Sequence, residues 1–426
     1  MVSLFYINFH IPHLISLHLF TIQIIHNHIL LPYIFHNVNI FLEKIIFTNW
    51  HDFCQLIPQD FQLILCLEPR LKKIHDSVDF EELRNIIEES VNSYNNSSLA
   101  KSYSSSTSIE QNNELCELTP SSDSTKNLSY SRPNAGRKGF DPVLMFKIFV
   151  IQILFNLSDH EVEKQIKLRS DFKAFLNIDL MSIPSHKTIW KYRNIFVHSE
   201  AFQKITDNLL EFVNNLDQVA NCDSVLIDSS MTSAPIQRNS REENLIIKEG
   251  NGVSLWQDQP AKRRQKDIDA RWTKKNDQNY YGYKVHTAVS GDTKLVTALA
   301  TTPANVHDSQ VIGPLIQPSD NNKKLFADSA YSGQKQIEEI RKLGLNPNVC
   351  EKGTRSHPLS DQQKQSNRIK SSTRARVEHV FGEIAHWGAD KIRSVGEKRA
   401  HCHHLLTIWC YNVLRLAQLN IPINLS

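Results

Sequence analysis

Apolar and polar positions fall into distinct textures along the chain. Residues 1–42 form a run rich in Ile, Leu and Phe without a single Lys, Arg, Asp or Glu, broken by His10, His13, His18, His26, Asn27, His28, His36 and Asn37. Its length fits a membrane span. No basic stretch precedes it, and Glu43 and Lys44 are the first charges, so neither a signal peptide nor an oriented span is specified. An over-extended translation start, a buried segment and a membrane anchor all fit the run; we treat 1–50 as one apolar segment.

Residues 51–93 read as helical, with Asp79 as a cap and Glu82 three residues later. Residues 94–131 are rich in Ser and Asn, too polar to offset chain entropy, and predict a flexible linker. Periodicity resumes at GRKGFDPVLMFKIFVIQILF. Asp141 suits an N-cap and Pro142 the first helical position. The helix 142–155 is apolar nearly all round and belongs at the centre of a bundle. Ser158 and Glu161 form a capping-box pattern for the next helix, and a third starts near Ser185. That third helix carries Lys187, Lys191 and Arg193, so residues 136–215 suit either a helix-turn-helix unit or a plain bundle with a solvated face.

From 221 the period shortens. DSVLIDSS predicts a strand, and YYGYKVHTAVS (280–290) and KLVTALATTPA (294–304) predict a hairpin turning at Gly291-Asp292. KLFADSA (324–330) predicts another strand, followed by a helix closed by Gly344, and NPNVCEK a fifth strand. A basic loop, an amphipathic helix at STRARVEHVFGEIAHW and a last helix at 405–419 complete the region. The fold class is α/β: a mixed sheet flanked by helices over 221–418, preceded by an α-helical domain.

Composition adds little until it is localised. Lys plus Arg total 48 and Asp plus Glu 45, a net charge of +3 that selects no partner class. The seven cysteines lack a CxxC pair and read as reduced thiols. No GxxxxGK[ST] loop is present, which argues against nucleotide hydrolysis. HCHH (401–404) with His386 lacks a metal-ligand frame and reads as a polar helix start.

Three acids have suggestive positions. Asp228 and Asp328 stand at or near the C-terminal ends of apolar strands, where α/β sheets collect their ligand groups. Glu378 lies on a helix whose apolar stripe faces the sheet, one turn after Arg374, which can orient it. Three converging carboxylates would suit Mg²⁺ or Mn²⁺, and two such ions can clamp an in-line phosphoryl displacement. Each acid alone also passes as a cap or turn residue, and spacing does not bring the three together. His307 is a further candidate beside the site, while Asp308 could cap the next helix.

The segments VLIDSSMTSAP, YYGYKVHTAVSGDTKLV, ALATTPANVHD, LFADSAYSG and RARVEHVFG, in this order, resemble the motif blocks of bacterial insertion-sequence transposases of the acid-triad (Asp-Asp-Glu) superfamily. The resemblance spans roughly 136–418 and is closest to the insertion-sequence-five family. It implies an RNase H-like catalytic domain, with Asp228, Asp328 and Glu378 as catalytic and metal-holding residues and Arg374 beside them. It implies Mg²⁺ or Mn²⁺ as a pair of ions, cytoplasmic location with the nucleoid, and a homo-oligomer acting on double-stranded terminal repeats and target DNA. No membrane partner is expected. Relatives commonly carry a Tyr three residues before that Arg and a Lys seven after the Glu; this chain has Ser371 and Ala385. An inactive relative that binds DNA without cutting it is the alternative.

Two basic stretches flank the acids. Residues 261–275 gather Lys262, Arg263, Arg264, Lys266, Arg271, Lys274 and Lys275 around Trp272, a pattern suited to phosphates and an unstacked base. Lys364, Arg368, Lys370, Arg374 and Arg376 precede Glu378. With Lys187, Lys191 and Arg193, these are the expected DNA contacts.

Overall fold

The computed structural model describes residues 67–107, 139–178, 182–275, 277–354 and 358–425, the side chains of 97–107 excepted. The apolar segment 1–50 and most of the predicted linker lie outside the described residues. The described elements belong to one unit, Cys66–Ser426.

The helical region opens with α1 (Pro69–Ser77) and α2 (Arg84–Thr107). Asp79 accepts from the Glu81 N–H in the turn ahead of α2 rather than capping the helix directly. The helix continues through the first part of the Ser-rich stretch expected to be linker. Its start is anchored by Leu83, Ile87 and Ser90, all buried, and propagation costs less than nucleation.

Next come α3 (Pro142–Phe155), α4 (Asp159–Leu168), α5 (Ser170–Leu176), α6 (His186–His198), α7 (Ala201–Asn214) and α8 (Asp217–Ala220). The local signals act as expected: Asp141 accepts from the Val143 N–H, and Ser158 with Glu161 forms a reciprocal capping box. Asn156 ends α3 in the left-handed region. Helix α3 is buried on all sides, with Phe146 edge-on to Trp409 and Phe149 edge-on to Phe196 and Phe202. Among the described residues no single helix is long and apolar enough to cross a membrane.

The sheet region contains β1 (Ser224–Ser233), α9 (Arg241–Lys248), α10 (Pro260–Arg263), β2 (Arg271–Lys275), β3 (Gln278–Ser290) and β4 (Val296–Pro303). It closes with β5 (Lys324–Phe326), α11 (Gln334–Lys342), β6 (Asn346–Pro347), α12 (Asp361–His386) and α13 (Glu397–Gln418). The main sheet order is β4-β3-β1-β5-β6, and β2 pairs with the first residues of β3. Strands β1, β3 and β4 are antiparallel, whereas β5 and β6 run parallel to β1. An antiparallel trio continued by two parallel strands, with helices on both faces, is the RNase H-like arrangement. Gly282 lets β3 pass close to β1, since a Cβ there would collide with the Thr232 carbonyl.

Strand alternation assigns the two faces. Val225, Ile227 and Ala288 pack with Leu315, Tyr331 and Ile340 on the α11 side. Leu226, Val289 and Val296 join Val377 and Val380 of α12 and Leu405 and Trp409 of α13. That second core also takes in α3, α6 and α7, so the helical region and the sheet are packed together through α13.

Two boundaries differ from expectation. The basic loop before the Glu378 helix is itself helical, because Ser360 and Gln363 form a capping box that starts α12 at Asp361. Helix α13 starts at Glu397, so His401, His403 and His404 lie inside it. Each has a partner: His401 bonds Thr301 and Gln203, His403 the Ala389 carbonyl, and His404 Thr301 and Thr232.

Candidate active site

Asp228 is central in β1, opposite Thr287 of β3; the strand runs on to Ser233 and does not end at the acid. The continuation is stabilised by β3, whose register with β1 reaches Ser233↔Gly282. Asp228 shares the sheet face of Leu226, the face covered by α12 and α13. Strand β5 then decides what lies beside it. The parallel register pairs Leu226 with Phe326, so two further residues on each chain bring Asp228 and Asp328 level. Asp328 stands just past β5, where its Oδ1 accepts from the Ala330 N–H at 2.8 Å and starts a tight turn.

Arg374 and Glu378 come from α12, the element packed against β1. Arg374 Nη2 lies 3.2 Å from Glu378 Oε1, one helical turn on. Asp228, Glu378 and Asp328 together raise the Arg374 pKa against its burial. Its Nε is buried without a hydrogen-bond partner. The charges of all three expected carboxylates thus act on one guanidinium, which is ion-paired with Glu378.

Burial pushes the Asp228 carboxyl up to about 6; the Ser229 N–H and Arg374 oppose the shift, and Asp328 reinforces it. A carboxylate taken out of water without a close counter-charge is a group that a cation would relieve. Asp328 offers a second hard oxygen donor. Glu378, 58% exposed at its side chain, is engaged by Arg374. Among the described residues no group of three or more His, Cys, Asp or Glu is close enough to hold a metal ion. Asp228 and Asp328 have the hard-oxygen chemistry a divalent ion takes, while Glu378 is paired with Arg374.

The cap expected of Asp308 is supplied by His307 instead. His307 caps the turn at 308–310, its Nδ1 2.8 Å from the Ser309 hydroxyl. Asp308 reaches back to the sheet and bonds Lys284 Nζ at 2.8 Å. Lys284, His286 and Tyr331, outside the expected set, also lie near these acids. Lys284 and His286 share a face of β3 at period two, polar residues in a largely buried strand, and that interruption was the available signal.

Several expected DNA contacts are engaged inside the fold. Lys262 Nζ pairs with Glu243 at 2.7 Å and lies over the Trp256 ring. Lys266 bonds the Arg238 carbonyl and Asn239. Arg271 donates to the carbonyls of Ile247, Ile268 and Ala270. Arg193 is tied to Asp159 and Gln152. On α12, Lys370 bonds the Val349 carbonyl and Arg376 the Gly291 carbonyl. Most of these partners come from other parts of the chain, so clustering in sequence does not mean a shared free surface. Lys274 pairs with Asp277 in the open. Arg263, Arg264, Lys275, Lys187 and Lys191 are exposed, as are Trp272 at 53% and Trp190 at 60%. Trp190, between Lys187 and Lys191 on α6, was not anticipated. The Lys275 charge reaches Asp228.

Residues 225–413 match the family model described as "Transposase DDE domain", and residues 99–194 match the one described as "Transposase domain". Among solved structures, the cryo-EM structure of piggyBac transposase synaptic complex with hairpin DNA is similar at 10% identity and a TM-score of 0.35, covering 68% of this chain and 69% of that one. A DDE domain implies dependence on divalent metal, with DNA as the partner. The two family matches, with the DDE domain at residues 225–413, support a DNA transposase of the DDE superfamily.

Proposed function

We propose that Asp228, Asp328 and Glu378 are the catalytic carboxylates, holding Mg²⁺ or Mn²⁺ as two ions, in a transposase of the insertion-sequence-five family. The supporting observation is the parallel β1–β5 register, which brings Asp228 level with Asp328 while α12 presents Glu378 through Arg374. Asp228 and Asp328 would hold the metal from the sheet, with Glu378, now paired with Arg374, as the third donor. When bound, the ions supply Lewis-acid activation of water and of the scissile phosphate. Arg374, once free of Glu378, keeps a guanidinium at the site for a phosphate oxygen. Water attack on a phosphodiester breaks its P–O3′ bond and leaves a 3′-hydroxyl and a 5′-phosphate; that hydroxyl then attacks a target phosphodiester, whose own 3′-oxygen leaves as a hydroxyl. Residues 136–215 bind element ends or support assembly, residues 221–418 cut, and the protein works as a homo-oligomer with the nucleoid.

Exposed Arg263, Arg264, Lys275, Lys187 and Lys191 carry the DNA backbone, with Trp272 available to stack on an unpaired base. Neutralising Arg263 and Arg264 together should lower the salt slope of duplex binding by roughly 0.9 per lost phosphate contact. An unchanged slope moves the DNA path elsewhere.

The test of the site is metal-dependent cleavage of element-end DNA by Asp228→Asn, Asp328→Asn and Glu378→Gln. Each should abolish cutting with the fold and DNA affinity intact, and the losses should not add, since the groups act as one unit. Undiminished cleavage by Glu378→Gln overturns the assignment. A second reading, binding without cutting, is favoured by Ser371 and Ala385 at positions where relatives carry Tyr and Lys. Cleavage by the unaltered chain in Mg²⁺ or Mn²⁺ decides against it.

A further inference from the structure

Helix α6 is anchored along one side and open along the other. Ile189, Phe196 and Val197 are buried, the Tyr192 hydroxyl donates to the Phe140 carbonyl at 2.7 Å, and Arg193 is tied to Asp159 and Gln152. At the start of the helix, the His186 N–H donates to Glu163 of α4 at 2.7 Å, and the His186 ring stacks on that of His160 with centroids 3.7 Å apart. Helix α4 thus packs against the first turn of α6. Two turns on, Arg399 of α13 donates to Asn194 Oδ1 at 2.9 Å. Between these anchors Lys187, Trp190 and Lys191, at i, i+3 and i+4, share one exposed face.

The acids of α4 beside this face are already engaged. Asp159 holds Arg193, Glu161 closes the capping box with Ser158, and Glu163 holds Lys167 at 2.7 Å as well as His186. The two lysines therefore keep their charge for a partner. An exposed tryptophan alone means little. Its setting here selects a partner class, because the buried core of a protein interface is poor in lysine, whereas a base in duplex DNA is bracketed by phosphates. The major groove admits an α-helix, and a helix docked there reads bases with its first turns, the part of α6 that is open. An indole presents an apolar face, which suits the C5-methyl of thymine, a group displayed only in that groove. The anchors fix the helix beforehand, so little ordering is left to oppose binding.

We propose that Trp190 is a sequence-reading residue: α6 enters the major groove of duplex DNA with the indole on a thymine methyl and Lys187 and Lys191 on the flanking phosphates. The inference rests on the reading of residues 136–215 as a DNA-binding region.

The experiment is selection by the full-length protein from a pool of random duplexes, followed by affinity measurements on the best duplex. The unaltered protein should select a sequence containing thymine. Replacing that thymine by deoxyuridine, which removes only the methyl, should weaken binding about fivefold. Trp190→Ala, a change at an exposed position that leaves the core intact, should weaken binding to the thymine duplex to a similar extent and abolish the difference between thymine and deoxyuridine. Trp190→Phe keeps an aromatic face and should keep part of that difference. Lys187→Gln with Lys191→Gln should select the same sequence with a shallower salt dependence, by roughly 0.9 in slope per lost phosphate contact. An equal deoxyuridine penalty in Trp190→Ala and the unaltered protein overturns the proposal, as does the absence of any penalty in the unaltered protein. A Trp190→Ala protein that selects the same sequence but sediments as a smaller oligomer makes the tryptophan a contact between copies and also overturns it. With the reading role lost, a shallower slope in the lysine variant still leaves α6 on the DNA backbone. An unchanged slope as well removes α6 from the DNA path altogether.

Discussion

Asp228 and Asp308 are carboxylates largely removed from water, yet their protonation is pushed in opposite directions. On the α12 face, Asp228 has the Ser229 N–H at 2.8 Å, Arg374 as a more general attraction, and Asp328 as a repulsion. Burial wins there, and the carboxyl rises to about 6. On the other face, Asp308 has an ammonium at 2.8 Å and the Ser229 hydroxyl. Burial is again the largest influence, but the bonds and charge of Lys284 outweigh it and the pKa falls below the ordinary carboxylate value. Removal from water does not by itself set the state of an acid; a full partner at hydrogen-bond distance does. The uncompensated face has a use for a cation, and the compensated face is already neutral as a pair.

The comparison can be broken most sharply at Asp308. Asp308→Ala strands the Lys284 ammonium in the interior and should cost about 3–5 kcal/mol of stability, read by urea unfolding. A loss under about 1 kcal/mol, typical of an exposed pair, would mean that water reaches this face and that the contrast is false.

Asp228→Asn should act with the opposite sign in metal-free protein. Because the folded pKa of Asp228 is raised, the folded state keeps a proton that the unfolded chain has lost, and stability falls as pH rises from about 4 to about 6. Above that window the unaltered protein carries the full penalty, so the variant should be more stable by roughly 2–3 kcal/mol at pH 7. Below pH about 4 the difference should vanish. Unfolding of both proteins in chelator from pH 4 to 7 reads it, and a destabilised variant at pH 7 would show that the carboxylate is already compensated.

Tyr331 sharpens the comparison with the smallest effect. Its hydroxyl is buried without a hydrogen-bond partner, and Asp308, Asp228 and Asp328 all act on the ring's acidity. Tyr331→Phe removes an unsatisfied group and should leave stability unchanged or raise it by about 1 kcal/mol. A clear loss in thermal unfolding would reveal a bond between the hydroxyl and one of the acids.

Much of the helical region was readable from neighbours in sequence. Asp141, Ser158 and Ser185 mark helix starts because a cap bonds an N–H two or three residues on. The apolar character of 142–155 foretold its central place in the core. The start of α12 was missed for a related reason: its first turns are polar and basic, and the Ser360–Gln363 box was passed over. The basic stretches misled in another way. Lys262 is satisfied by Glu243 and Arg193 by Asp159, partners that charge clustering does not reveal. Lys284 looked like an ordinary strand lysine, since its partner Asp308 arrives from beyond the next strand.

What the sequence by itself determined is the set of elements, the motif order and the identity of the candidate acids, because caps, periodicity and motif spacing are short-range properties. The tertiary structure decided how the acids are placed and in what state. The β1–β5 register brings Asp328 level with Asp228. Helix α12 contributes Glu378 by way of Arg374. Burial leaves one aspartate poorly compensated while Lys284 satisfies the other. Each of these depends on the distance between groups far apart in the chain and on the water excluded around them, and neither quantity exists until the sheet and its covering helices have closed.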